Sequence, residues 1–344
     1  MFRNFFKKKV KAPVKDSTTE LFDEAFLLRM ERLNFRTARI LRGMMLGERA
    51  SRKLRPSLDF SDHRPYASGD DFRYVDWQAY ARHEDLFVKL GEAPQRINVH
   101  ILLDASPSMS WAPTRQYVRT SSQSSSERRL QATKWDTARR LAGALAYLGL
   151  ASGERISVTA FADTLNETFG PTQGKRQVTP TLQYLSDLIP ASLRGNQDGT
   201  MTGLAHSLDA YARLRMDGGL LVIISDLIDN KPGQLIDSAD ALIDGLRHLI
   251  PPRWQVLVMH LMTTEEIQPS VMGDFDLHDI ETNKNMPLHI DAGVLAQYSS
   301  RVEQWCGALK TGCIRRGATY SRILAEWPLE KKVVPYLRQQ GLLQ

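Results

Sequence analysis

Residues 100–109 read His-Ile-Leu-Leu-Asp-Ala-Ser-Pro-Ser-Met, and their reading decides the fold. The mostly apolar run from Ile97 to Leu103 suits a buried strand. Asp104-Ala-Ser106-Pro-Ser108 falls where that strand would end. One carboxylate and two hydroxyls at alternate positions can converge on a small hard cation. All are oxygen donors, as Mg2+ prefers, and too few are charged to satisfy the ion alone. Further oxygens must come from elsewhere in the chain, with room for one carboxylate brought by a partner.

Two other segments supply them. Gly199-Thr-Met-Thr202-Gly-Leu204-Ala-His-Ser-Leu208 begins a helical pattern with Thr202 in its first turn. The charge-free run Gly219-Leu-Leu-Val-Ile-Ile224 is a second buried-strand candidate and leads into Ser225-Asp226. Two such strands bring Asp104 and Asp226 to the carboxyl edge of a parallel sheet, where ligands sit in these folds. Together Asp104, Ser106, Ser108, Thr202 and Asp226 resemble the metal-ion-dependent adhesion site of von Willebrand factor A domains, with no member missing. The resemblance implies that the serines and the threonine reach the metal directly and that the aspartates often act through water. Mg2+ and Mn2+ both accept this oxygen set.

Around these segments strands and helices alternate. Helices are predicted over Lys134 to Leu150, Val178 to Ile189, Thr202 to Leu214, Gly233 to Leu249, Val294 to Arg316 and Pro328 to Gln340. Strands are predicted at Leu86 to Leu90, Ile156 to Phe161, Leu220 to Ser225, Trp254 to Met262 and Thr319 to Leu324. This order predicts an α/β fold, a doubly wound and mostly parallel sheet of von Willebrand factor A type. An N-terminal helix and a small β-containing extension precede it. The expected organisation is a flexible basic tail over 1–18, a helix and signature region over 19–95, and the A-like domain with a C-terminal segment over 96–344.

The signature region is dense in Asp, Arg and aromatic residues, which predicts a paired polar network. It runs Arg64-x-Tyr66-x-x-Gly69-Asp70-Asp71-x-Arg73-x-x-Asp76-Trp77, then Ala81-Arg82 and Val88-Lys89. This pattern is similar to that of the bacterial domain-of-unknown-function 58 family, in which it directly precedes an A-like domain. The likeness extends to Gly273-Asp274 and Leu277-His-Asp279-Ile-Glu281-Thr. The Ser- and Arg-rich stretch Pro113 to Arg128 departs from it as an insertion after the metal loop. The resemblance implies a MoxR-type AAA ATPase as partner, and a chaperone-like role in maturing or remodelling client proteins. Arg64, Tyr66, Gly69, Asp70, Asp71, Arg73, Asp76, Trp77 and Arg82 are the candidate interaction signature.

Composition bounds the rest. The chain has 344 residues, of which 42% are hydrophobic, enough for a sizeable core. No stretch approaches the ~18–20 consecutive apolar residues of a membrane span, and the N-terminus lacks a secretory apolar region. A cytoplasmic protein is expected. Cys306 and Cys313 lie about 10 Å apart along a helix axis, too far for a disulfide. The net charge of +6 has its excess before residue 56, where Arg29, Arg32, Arg36, Arg39 and Arg42 stud a long amphipathic helix. Such a row is a solvated face, or a contact for an acidic partner, anionic lipid or nucleic acid.

The chain has no nucleophile elbow and no phosphate loop. A metal-dependent hydrolase would need a base to activate water, and His206 is the nearest in sequence. The expectation is therefore a non-enzymatic, metal-dependent adaptor. Nucleic-acid binding through the basic N-terminus is the alternative, and a hydrolase the more distant one.

Overall fold

The computed structural model describes residues 21–23, 26–28, 30, 54–56, 62–92, 97–110, 133–190, 203–215, 217–228, 238–278 and 285–340. The basic tail, the N-terminal arginine row, the insertion 113–128 and Thr202 lie outside them. The chain divides into two compact units, Met45–Ile97 and a larger one formed by Met1–Met44 with Asn98–Gln344.

The smaller unit holds strands β1 (Leu54–Pro56) and β2 (Asp62–Pro65), helix α1 (Trp77–His83) and strand β3 (Phe87–Glu92). β3 lies between the other two strands, antiparallel to both. Val75 bridges to Val88, and both are buried. Asp76 starts α1 by accepting hydrogen bonds from the backbone N–H groups of Gln78 and Ala79. A carboxylate at this position satisfies donors that the first turn leaves unpaired.

The larger unit is built on β4 (Asn98–Asp104), β5 (Arg155–Phe161), β6 (Leu165–Gln173), β7 (Gly219–Ser225), β8 (Trp254–Met262) and a final strand (Thr319–Leu324). That strand is β11, after the hairpin β9 (Gly273–His278) and β10 (Asn285–Ile290). The sheet order is β11-β8-β7-β4-β5-β6, with every pair parallel except β5–β6. The chain fills one side of β4 first, then returns to the other side with β7. The reversal between β4 and β7 is the switch point at which doubly wound sheets open a crevice.

Burial of both sheet faces explains the uninterrupted apolar runs at Ile101–Leu103 and Leu220–Ile224, all fully buried. Leu102, Leu221, Ile223, Val256 and Val258 pack under α4 (Leu204–Leu214), α5 (Ser238–Gly245) and α7 (Ala292–Arg315). Helix α2 (Lys134–Ala151) packs along β4, β5, β7 and β8, with α3 (Val178–Asp187) beside it. Phe26 and Met30 of the N-terminal segment pack on Ala144 of α2, with Leu329 alongside. Cys306 and Cys313 are buried thiols on α7.

The architecture is the α/β, mostly parallel sheet that the sequence predicts. It adds α1, the hairpin β9–β10 and the antiparallel edge strand β6. β6 is polar, contains Pro171 and pairs with β5 through irregular register, as an edge strand can. The predicted terminal helix is interrupted: a wider turn over Leu329–Val333 precedes α8 (Val334–Gln339).

Gly219 opens β7 with φ 138, and a Cβ there would run into the carbonyl oxygen of Asn98. Gly219→Ala is expected to lose about 1–3 kcal/mol of stability, measured by denaturant unfolding. An unchanged midpoint would remove this constraint from the β4–β7 junction.

Candidate metal centre

β4 and β7 are neighbours in register, so their carboxyl ends present Asp104 beside Ser225 and Asp226. Asp104 is fully buried. Its Oδ1 accepts a hydrogen bond from the Ser106 backbone N–H at 2.9 Å, and its Oδ2 accepts one from Ser225 Oγ at 2.5 Å. Ser106 and Ser108 meet through their hydroxyls at 2.9 Å. Ser106 is buried, whereas Ser108 is partly exposed.

Asp226 is also buried, and its Oδ2 accepts a hydrogen bond from Lys134 Nζ at 2.7 Å. The same ammonium donates to Glu266 Oε1 at 2.6 Å. Glu266 stands in the short helix α6 (Thr264–Ile267), directly beyond β8. Next to Asp226, Leu227 takes φ 59, a left-handed conformation that is costly for a branched side chain. The Leu227 N–H donates to Ser225 Oγ at 2.8 Å, which braces this turn.

Electrostatics follow from burial. Burial, then the like charge of Asp226, pushes the Asp104 carboxyl up to about 7, against the hydrogen bonds from Ser225 and Ser106. For Lys134 burial works against the charged form, but Asp226 and Glu266 together outweigh it and hold the ammonium charged. His260, level with Ser225 on β8, is pushed down to about 3, chiefly by burial. Its Nδ1 pairs with the Tyr320 hydroxyl at 2.6 Å.

The sequence-predicted donors Asp104, Ser106, Ser108 and Asp226 are thus brought to one sheet edge. Gly203, which follows Thr202, starts α4 there: its N–H donates to the Ala162 carbonyl beyond β5 at 2.9 Å. The donor set fits a hard divalent cation in chemistry and in charge. Two carboxylates, Asp226 and Glu266, face the Lys134 ammonium, and Asp104 adds a third acid to the edge through its contacts with Ser106 and Ser225. Among the described residues no group of three or more His, Cys, Asp or Glu is placed to hold a metal, so a cation here depends on the serine hydroxyls.

Lys134, Ser225 and Glu266 were not in the predicted set. Ser225 was visible as the neighbour of Asp226. Lys134 and Glu266 are 132 positions apart and carry no local signal.

In the smaller unit the signature residues form the paired network their composition predicts. Arg64 donates to Asp70 at 2.6 Å, and Asp70 also accepts from the Ala67 N–H around the Gly69 turn, where φ is 105. Arg73 donates to Asp71 through both Nε and a terminal nitrogen. Asp76 accepts from His63 at 2.8 Å, and Tyr66 stacks on Phe72. The acids therefore hold the local fold. Phe72, Trp77, Tyr80 and Arg82 remain exposed.

A parallel doubly wound sheet with this acid–hydroxyl edge is a von Willebrand factor A-like fold. The chain belongs to the family described as "Protein of unknown function DUF58", whose model matches residues 62–304. It is 25% identical over 256 residues to "Uncharacterized protein Rv1480" of Mycobacterium tuberculosis, covering 73% of this chain and 69% of that one. It is also similar to the solved structure of the conserved hypothetical protein BatB from Bacteroides thetaiotaomicron, with 14% identity and a TM-score of 0.38, covering 72% of this chain and 98% of that one. Among the described residues no helix is long and apolar enough to cross a membrane.

Two expectations follow. Ser225→Ala strips a donor from Asp104 and an acceptor from the Leu227 N–H, and should cost about 2–3 kcal/mol in denaturant unfolding. A loss below about 0.5 kcal/mol would contradict the bracing role. Asp76 concerns pH. The His63 hydrogen bond, with the backbone donors, holds its carboxyl down from 3.8 to about 2. The depressed value means that its stabilisation is present above pH 3.8 and lost as pH falls toward 2. Acid unfolding followed by tryptophan fluorescence should show this loss in wild type, and Asp76→Asn should flatten it.

Proposed function

We propose that this protein is a non-enzymatic, metal-dependent protein-interaction adaptor. The observation that carries the reading is the buried acid–hydroxyl edge at the β4–β7 switch point, with Ser108 as its partly exposed member. Asp104, Ser106, Ser108 and Asp226, with Thr202 from the segment before α4, would hold Mg2+ or Mn2+. A cation held there supplies a Lewis-acidic position that a partner's Asp or Glu can complete. Loops around the edge would then set which partner fits.

Binding is favoured over hydrolysis by the state of the titratable groups. Asp226 belongs to the donor set itself and is paired with Lys134, and burial pushes His260 down to about 3, which makes it a weak base toward a metal-bound water. The family signature supports a MoxR-type AAA ATPase as the partner, acting in the cytoplasm on a client protein.

The test is affinity capture with three baits: wild type in Mg2+, wild type in EDTA, and a folded Ser106→Ala/Ser108→Ala variant in Mg2+. An AAA ATPase retained only by the first bait is the expected result. Retention by all three would sink the metal-dependent reading. Metal-dependent turnover of phosphoesters or esters would favour a hydrolase. Salt-sensitive capture of nucleic acid that ends when residues 1–55 are removed would favour the basic N-terminus.

A further inference from the structure

Lys134 is the first residue of α2, and its side chain is only 1% exposed. A lysine buried to this degree persists only when its charge is paired. Its two partners differ in kind. Asp226, 1% exposed, belongs to the oxygen set of the candidate metal centre. Glu266, 22% exposed, does not. One ammonium therefore joins the centre to a helix outside it.

Glu266 is fixed independently of the lysine. Its Oε2 accepts from the Thr263 backbone N–H at 2.7 Å and from the Thr263 hydroxyl at 3.1 Å. The Tyr298 hydroxyl donates to the Glu266 carbonyl at 2.9 Å and ties α6 to α7. Glu266 is thus a stationary second acceptor with Oε1 turned to the ammonium. Asp226 has its Oδ2 on that ammonium and, among the described residues, a longer backbone contact on its Oδ1, 3.3 Å from the Ile228 N–H.

We propose that Lys134 is a built-in competitor of the divalent cation: it shares Asp226 with the cation, and Glu266 is the second seat that keeps the ammonium paired when Asp226 turns to the metal. The inference rests on the metal reading above and specifies how the affinity of that centre is set. The physical basis is simple. A positive charge beside a ligand carboxylate opposes a second cation, and burial leaves this repulsion poorly screened. Without Glu266, releasing Asp226 would strand the ammonium in the interior. With it, the ammonium keeps a partner through a small shift of a flexible side chain.

The test is Mg2+ binding by isothermal titration calorimetry on the full chain, in a double-mutant cycle. Lys134→Met keeps an unbranched side chain and removes the charge; its Kd should fall by about tenfold or more. Glu266→Gln leaves the ammonium committed to Asp226, so its Kd should rise. In the Lys134→Met background, Glu266→Gln should change Kd by less than about threefold, because Glu266 acts through the ammonium. Mg2+ bound by Lys134→Met but not by wild type also supports the proposal.

Additive effects of the two substitutions would overturn it, since both residues would then act as independent point charges. A Kd in Lys134→Met equal to that of a metal-binding wild type would overturn it and leave the metal reading intact. No binding by wild type or any variant would overturn both. If Lys134→Met does not fold, Lys134→Gln takes its place in the same cycle with the same outcomes. An unchanged Kd in Glu266→Gln refutes the competitor by itself.

Discussion

The carboxylate of Asp104 is buried at the end of β4, and the rest of the larger unit is arranged around that constraint. A charged group in this position needs donors, and it receives two: the Ser106 backbone N–H and the Ser225 hydroxyl. The second exists only because β7 lies against β4 in parallel register. The order reversal of the sheet is therefore tied to one side-chain contact. Ser225 also accepts from the Leu227 N–H, so the same hydroxyl shapes the turn that carries Asp226. A doubly wound sheet opens a crevice at this point by topology. Here that point carries buried acid and hydroxyl oxygens.

Charge balance explains what surrounds that edge. Burial, and after it the like charge of Asp226, raises the Asp104 carboxyl. The protein answers with one internal cation, Lys134, and places a further carboxylate, Glu266, on its other side. Buried ion pairs contribute little net stability, because desolvation offsets most of the attraction. Their persistence here is better explained by the demands of the site. They hold Asp226 in place and set the local field that an incoming cation meets.

Legibility from sequence followed the range of the interactions. The strands β4 and β7 were legible because both faces are buried and their runs are unbroken. Asp104, Ser106 and Ser108 were legible because their spacing is local, and Asp226 because it ends a strand. The edge strand β6 was not, since its residues are mostly polar and carry no apolar run. Helix α1 is only 7 residues long and has no buried face among its side chains; its sequence carries the family signature instead of an apolar period. Lys134 was read as an ordinary helix start. Its role depends on Asp226 and Glu266, which lie 92 and 132 positions away. No pattern within one element encodes such a contact.

The composition of the edge bears on what it can do. Catalytic metal centres need an open coordination position and also a base poised to take a proton from water. His260, the buried histidine beside this edge, is pushed down to about 3 by its burial and is a weak base there. Neutral hydroxyls make up much of the donor set. They leave a divalent cation undercompensated, and hence attractive to an external carboxylate. A ligand set rich in carboxylates would quench that attraction. Two serines beside one tightly bonded aspartate preserve it, while the lysine keeps the total negative charge modest. Under the proposed reading, such a centre would favour a partner that brings its own acid and can leave again.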